Sequence, residues 1–263
     1  MKKDENKPII DLISTGSEIV GSATGGIIGF FAAGPIGAAA AGAGGVIVAK
    51  GLSKLGIEIK QRLLGKREEV RIGATMFYSV SKIQENLKNG LAIRTDNFFQ
   101  NDNTSRSDAD EIFEGIMISS QKEYEEKKIK YLGNLLGNIA FHEDVNKSFA
   151  NQLIKLSEEL SYNQLCLLKI ISSSGNLKTL KLRTVNYKMS QKLSRELITV
   201  LYDLIYLENR HLIINSEHHV MGLTDIIPSE FSVQGNGNAL IILMELNEIP
   251  QQDIIKTIEI LSN

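Results

Sequence analysis

The chain has 263 residues, of which 43% are hydrophobic and 23% charged, so its composition excludes disorder along the whole length. The net charge of −2 gives no overall attraction to nucleic acid or to anionic lipid, and any such contact requires a local basic patch. The only cysteine, Cys166, excludes an internal disulfide and fits a reducing compartment. Its apolar neighbours predict a buried core position.

Residues 1–18 form a polar lead-in. Lys2 and Lys3 are followed closely by Asp4 and Glu5, which dilute the positive region that a secretory signal peptide needs. We therefore expect a protein that is not secreted.

Residues 19–49 carry no charge and contain no leucine, and nine of these 31 residues are glycine and nine are alanine. Gly34-Pro35 lies near the middle, and proline ends or kinks a helix. The segment therefore predicts a Gly/Ala helical hairpin or one kinked helix.

A small residue stands at every fourth position of this segment. The ridge consists of Gly21, Gly25, Gly29, Ala33, Gly37, Ala41, Gly45 and Ala49. Four-residue spacing places such residues along one helix face, where they let a second helix approach backbone to backbone, as in membrane helix pairs. The segment resembles the glycine zippers of bacterial membrane-active and toxin-like proteins. This resemblance implies membrane contact and self-association.

Glycine makes an isolated soluble helix costly here, since nine interior glycines at about 1 kcal/mol each amount to roughly the net stability of a domain. A bilayer or tight helix packing could offset that cost. A hairpin buried in a soluble core or in an oligomer interface stays an alternative, and so does a flexible linker. Basic residues follow the segment, which by the positive-inside tendency keeps the chain from residue 50 onward cytoplasmic. They are Lys50, Lys54, Lys60, Arg62, Lys66 and Arg67.

Residues 50–160 predict a helical domain. Apolar spacing from Val70 to Leu87 indicates a helix that Asn89-Gly90 ends. Residues 97–105 predict a loop, and Ser107 with Asp110 and Glu111 predicts a helix start. We expect one long amphipathic helix over 112–139, with the charges of residues 122–128 on its solvated face, and another helix over 145–160.

Residues 161–263 predict a winged-helix-like unit. Helices are expected over 161–171, 193–208, 238–246 and 251–261. Residues 211–214 and 231–233 predict a short strand pair, and Gly235 with Gly237 predicts a turn. The predicted fold class is therefore mainly α, with a Gly/Ala hairpin, a helical central region and a small β element near the end.

The chemistry of an enzyme is not recognisable in the sequence. The spacing of a structural zinc site is missing among the four histidines, which are His142, His211, His218 and His219. The sequence also lacks the motifs of a nucleophile elbow, a phosphate loop and a dinucleotide loop. We expect no catalytic residue, no metal and no cofactor, and hence a protein that is not an enzyme.

A basic run without acidic residues occupies 178–195. Its candidate contacts to phosphate or to lipid headgroups are Lys178, Lys181, Arg183, Lys188 and Lys192. A basic surface loop is the alternative. The net charge of the chain argues against nucleic acid as the main partner.

Four short stretches form one ordered pattern along residues 110–250. In chain order they are Glu126-Lys127-Lys128-Ile129-Lys130-Tyr131-Leu132-Gly133-Asn134-Leu135-Leu136, then Leu160-Ser161, and in the tail Gly222-Leu223-Thr224 and Gly237-Asn238-Ala239-Leu240. In order and pattern, residues 110–250 resemble the abortive-infection alpha family of bacterial phage-defence proteins. The resemblance transfers no catalytic residue, and the N-terminal zipper departs from it.

Two functions follow as expectations. The first is a non-enzymatic bacterial defence or toxin-like effector that self-associates and perturbs the inner membrane through residues 19–49. Its trigger would be a phage or host protein, and the chain from residue 50 onward would be cytoplasmic. The second is a cytoplasmic oligomeric regulatory protein whose winged-helix-like unit contacts nucleic acid.

Overall fold

The computed structural model describes residues 64–100, 106–174, 181–187, 192–215 and 222–263. Within these ranges the chain forms eight α-helices and one two-stranded sheet, which confirms a mainly α fold with a small β element. The segments 1–18 and 19–49 lie outside the described residues. The chain divides between Glu159 and Leu160 into two compact units.

The described part of the first unit consists of α1 (Lys66–Lys88), α2 (Asp108–Lys122), α3 (Ile129–Ile139) and α4 (Lys147–Glu159). The predicted end of α1 is confirmed, because Asn89 is its C-cap and Gly90 adopts a positive φ of 82°. The predicted start of α2 is also confirmed. The Ser107 hydroxyl accepts a hydrogen bond from the Asp110 main-chain N–H at 3.1 Å, and the Asp110 carboxylate accepts one from the Ser107 N–H at 3.2 Å.

The long helix predicted over 112–139 is wrong, since the chain leaves helical geometry after Lys122 and α3 begins at Ile129. No glycine or proline marks this break. A buried ion pair stabilises it instead, with the Lys128 ammonium 2.5 Å from the Glu123 carboxylate and side chains only 2% and 5% exposed. The prediction of a solvated face was therefore wrong for these two residues.

Helices α1 and α3 cross at backbone-to-backbone distance. A Cβ added at Gly133 would lie 2.5 Å from the Tyr78 Cβ and 2.9 Å from the Thr75 carbonyl oxygen. One added at Gly137 would lie 2.8 Å from the Lys82 Cβ. Two glycines four residues apart thus let the α1 backbone rest directly on α3, and this close approach sets the geometry of the first unit.

Buried polar pairs flank this crossing. The Thr75 hydroxyl donates to the Ser120 hydroxyl of α2 at 2.9 Å, and the Asn86 amide donates to the Asn138 side-chain oxygen of α3 at 2.8 Å. All four residues are buried. Helix α1 therefore buries a small polar stripe as well as its apolar one, and these hydrogen bonds satisfy the polar groups that burial would otherwise leave unpaired.

The second unit consists of α5 (Tyr162–Ser174), α6 (Arg195–Asn209), β1 (Ile213–Asn215), β2 (Phe231–Val233), α7 (Gly235–Leu243) and α8 (Gln251–Ser262). The predicted strand pair is confirmed as antiparallel, with Ile214 opposite Ser232. Cys166 is buried on α5, as predicted.

The turn predicted at Gly235 and Gly237 is wrong, because these residues begin α7. A Cβ on Gly237 would lie 2.2 Å from the Leu212 carbonyl oxygen. Close packing on the segment before β1, rather than turn geometry, is thus the reason for glycine at this position.

We predict that Gly133→Ala and Gly137→Ala each lower the free energy of unfolding by about 1–3 kcal/mol, because the added methyl group overlaps the backbone of α1. The matched control is Gly115→Ala in α2, whose added Cβ would meet the Ile154 Cδ1 at an ordinary 3.5 Å. Alanine favours a helix over glycine by about 1 kcal/mol, so the control should keep or gain stability. Urea unfolding monitored by circular dichroism measures all three, and equal effects would contradict the close crossing.

We predict that Lys128→Met lowers the free energy of unfolding by about 3–5 kcal/mol, because it leaves the buried Glu123 carboxylate without its cation. The double variant Glu123→Gln with Lys128→Met removes both charges and should recover most of that loss. Chemical denaturation of the two variants gives the comparison. A double variant as unstable as the single one would show that the loss does not come from an unpaired Glu123 carboxylate.

Candidate functional site

Most residues predicted to contact membrane or phosphate lie outside the described part of the chain. This applies to the whole ridge, Gly21, Gly25, Gly29, Ala33, Gly37, Ala41, Gly45 and Ala49, and to Lys178 and Lys188. Lys181, Arg183 and Lys192 of the basic run are described, and they have different environments. Lys181 and Lys192 are exposed, whereas Arg183 is half-buried.

The guanidinium of Arg183 is engaged by the second unit itself. It donates to the carbonyl oxygens of Val185 at 2.9 Å and Asn186 at 3.2 Å, and also to that of Asn263. The group lies over the ring of Tyr187 with 4.6 Å to the ring centroid. Arg183 thus holds its own segment to the end of α8, and three of the five guanidinium N–H donors are committed to main-chain carbonyls.

The main chain around Arg183 is anchored on two sides. Its N–H donates to the Leu261 carbonyl oxygen at 2.9 Å, and its carbonyl oxygen accepts from the Ser229 N–H at 3.1 Å. The N–H of Tyr187 donates to the Thr224 carbonyl oxygen at 3.1 Å. The segment is therefore a structural strap in which Arg183 serves packing, whereas the Lys181 side chain stays exposed.

Basic and aromatic side chains meet on the solvent side of α6, a feature that the sequence did not single out. The stripe consists of Arg195, Thr199, Tyr202, Tyr206 and Arg210, at spacings of three and four residues that align them on one face. Tyr202 is 59% exposed, and the Arg210 guanidinium lies over the Tyr206 ring at 5.0 Å. We call these five residues the outer stripe of α6. The recurrence of Arg and Tyr at helical spacing is the signal that could have found it.

The opposite face of α6 is core. Leu197, Leu201, Leu204 and Leu207 are buried, which is the apolar spacing that predicted this helix. Asp203 lies beside this face and accepts a hydrogen bond from the Gln164 amide of α5 at 2.8 Å. Burial raises the pKa of the Asp203 carboxyl, and the bond from Gln164 opposes that rise. The helix thus separates a core face from a basic and aromatic outer face.

Arg94 is a buried cation in the first unit, and its partners are all structural. It bonds the Asp96 carboxylate through two nitrogens at 2.7 and 2.5 Å and donates to the Val145 carbonyl oxygen at 2.9 Å. The Arg94 Cζ lies over the Phe98 ring, 4.1 Å from the ring centroid. The hydrogen bond from Arg94 is the main cause that lowers the pKa of Asp96. This cluster pins the chain after α1 to the loop between α3 and α4.

Burial is also the largest cause of the shifted pKa of two further groups in the second unit. Burial lowers the pKa of Lys169, whose ammonium donates to the Ile249 carbonyl oxygen, and burial raises the pKa of Tyr187. Among the described residues, no three His, Cys, Asp or Glu side chains come together as metal ligands would. Within the same ranges, none of the helices has both the length and the hydropathy to span a bilayer.

We predict that Arg183→Ala lowers the free energy of unfolding by about 1–3 kcal/mol, because hydrogen bonds to three main-chain carbonyls are lost. The matched control is Lys181→Ala, two residues earlier on an exposed side chain, which should change stability by less than about 0.5 kcal/mol. Urea unfolding of both variants tests the structural role of Arg183. An unchanged midpoint for Arg183→Ala would return this residue to the set of candidate ligand contacts.

No protein-family model matches the chain, and comparison with the curated proteins and with the solved structures gives no significant match. The resemblance of residues 110–250 to the abortive-infection alpha family therefore rests on the residues quoted for it.

Proposed function

We propose that this chain is a non-enzymatic effector that self-associates and perturbs a bacterial inner membrane through residues 19–49, in an abortive-infection-like or toxin-like role. The observation that carries the proposal is the unbroken Gly/Ala ridge in an uncharged segment of 31 residues. The defence setting rests on the resemblance of residues 110–250 alone.

Small residues at four-residue spacing allow the backbones of two helices to touch. Gly133 and Gly137 illustrate this effect in the first unit, where α3 lies against the main chain of α1. In a bilayer, water gives no hydrophobic push between helices, so close packing of this kind becomes the main source of association. Eight consecutive ridge positions therefore favour pairing between copies of the segment over permanent insertion of a single copy.

We assign insertion to residues 19–49, because they form an uncharged stretch of 31 residues, which is long enough to cross a bilayer. The two helical units then act as the body that receives a signal from a phage or host protein. The basic residues after the segment, from Lys50 to Arg67, favour keeping that body on the cytoplasmic side.

The test separates association from membrane affinity. Gly29→Leu with Gly37→Leu places two bulky side chains on the ridge, whereas Ala23→Leu with Ala39→Leu adds two leucines two residues away from it, at positions that do not face the ridge. Both pairs increase hydrophobicity, so both should stay in the membrane fraction of expressing cells. Only the ridge pair should lose cross-linked oligomers and the effect on cell growth.

A variant lacking residues 19–49 completes the test and should leave the membrane fraction. The proposal fails if the full chain and this deletion variant fractionate alike and affect growth equally. Loss of oligomers in both leucine pairs would show that general crowding, rather than the ridge, controls association.

A further inference from the structure

The outer stripe of α6 has the chemistry of a surface that meets an anionic interface. Arg195 and Arg210 lie at its two ends, about 22 Å apart for 15 residues at helical rise, and Lys192 is exposed just before the helix. Tyr202 and Tyr206 lie between them. None of the five stripe positions is acidic. Cations at both ends and amphipathic rings between them are complementary to a layer of anionic headgroups.

None of the acidic residues of α6 belongs to the stripe, but two adjoin it. Glu196 lies three residues before Thr199, and Asp203 lies four residues after Thr199. Asp203 is half-buried and accepts a hydrogen bond from Gln164 of α5. The basic residues Lys192, Arg195 and Arg210 are all exposed, and Glu196 is the one exposed acidic residue between Lys192 and Arg210. Neither Lys192 nor Arg195 forms an ion pair with another of the described residues.

We propose that the outer stripe of α6 is a second membrane contact, which binds the headgroups of anionic phospholipids. The arginines contact the phosphates, and the tyrosine rings rest at headgroup level, where such rings accumulate in membrane proteins. The cation–π contact at 5.0 Å keeps the Arg210 guanidinium beside the Tyr206 ring on this face. A nucleic acid fits less well, because tight binding to nucleic acid requires many phosphate contacts, whereas only three of the described basic residues are available on and just before this helix.

The contact is weak alone and gains strength from tethering. Each basic residue near an anionic surface strengthens binding by a factor of about five, so three of them do not anchor a protein. The inference rests on the proposed function in one respect: a segment 19–49 in the bilayer would hold the second unit close to the headgroups and raise its effective concentration there. The stripe then orients the second unit on the membrane.

The chain contains no tryptophan, so a single introduced one reports on its own surroundings. Three full-length variants are compared: Tyr202→Trp on the stripe, Tyr124→Trp on an 83% exposed residue of the first unit, and Phe30→Trp in the Gly/Ala segment. Each is mixed with phosphatidylcholine vesicles with or without phosphatidylglycerol, including brominated lipids as quenchers. We expect blue-shifted and quenched emission for Tyr202→Trp on the anionic vesicles only, and no change for Tyr124→Trp.

The charge dependence is tested in the Tyr202→Trp background. Arg195→Glu with Arg210→Glu should weaken the vesicle response by about tenfold or more. The control, Lys155→Glu with Lys256→Glu, makes the same change of net charge at exposed positions of α4 and α8 and should leave the response nearly intact. Arg195→Glu alone serves if the double variant does not fold by circular dichroism.

The outcomes distinguish the two proposals. Quenching for Phe30→Trp without any for Tyr202→Trp overturns the stripe contact and leaves the proposed function standing. Quenching for Tyr202→Trp alone supports the stripe and contradicts insertion of residues 19–49. A shift of Tyr202→Trp emission on duplex DNA at low salt, with none on vesicles, assigns the stripe to nucleic acid and overturns the lipid contact. Equal loss in both charge variants also overturns it, because a general charge effect would then suffice.

Discussion

The close crossing of α1 and α3 is the contact on which the first unit depends. Gly133 and Gly137 remove the side chains that would separate the two helices, so the main chain of α1 at Thr75 and Ser79 lies against them. That approach brings Asn86 within hydrogen-bond distance of Asn138 and Thr75 within reach of α2. A larger side chain at either glycine would move α1 outward and break these buried hydrogen bonds together, because a packed core does not deform gradually.

Buried charged side chains stabilise the non-helical links between the helices of the first unit. The Glu123–Lys128 pair stabilises a non-helical link between α2 and α3, and Lys128 also donates to the Glu158 carbonyl oxygen at the end of α4, 3.4 Å away. Arg94 likewise stabilises the chain after α1, because its guanidinium donates a hydrogen bond to the Val145 carbonyl oxygen in the loop before α4. Such groups contribute less to net stability than their short distances suggest, since burial removes their hydration. Their stronger effect is on where the chain turns.

The basic residues of the second unit have two different environments: some bond the main chain, and others are exposed to solvent. Arg183, which looked like a phosphate contact in the sequence, fastens a strap to the end of α8. Other basic residues of this unit are exposed: Lys192 just before α6, Arg195 and Arg210 at its two ends, Lys181 before Arg183, and Lys256 on α8. The two proposed membrane contacts differ in physical origin, close packing for residues 19–49 and charge for the outer stripe of α6, so we expect them to respond to different substitutions.

Local chemistry was sufficient for the sequence to predict the mainly α class, the cap at Ser107, the stop at Asn89-Gly90 and the pairing of the two short strands. Each of these depends on residues within a few positions of one another or on the period of apolar side chains. The composition of residues 19–49 likewise defines the proposed association ridge without any coordinates. Only the tertiary structure decided that residues 122–128 break a helix, that Gly237 packs on Leu212, and that Arg183 is committed to main-chain carbonyls. In each case the deciding partner lies far along the chain, or burial changes what a charged side chain does, and neither is visible in a local pattern.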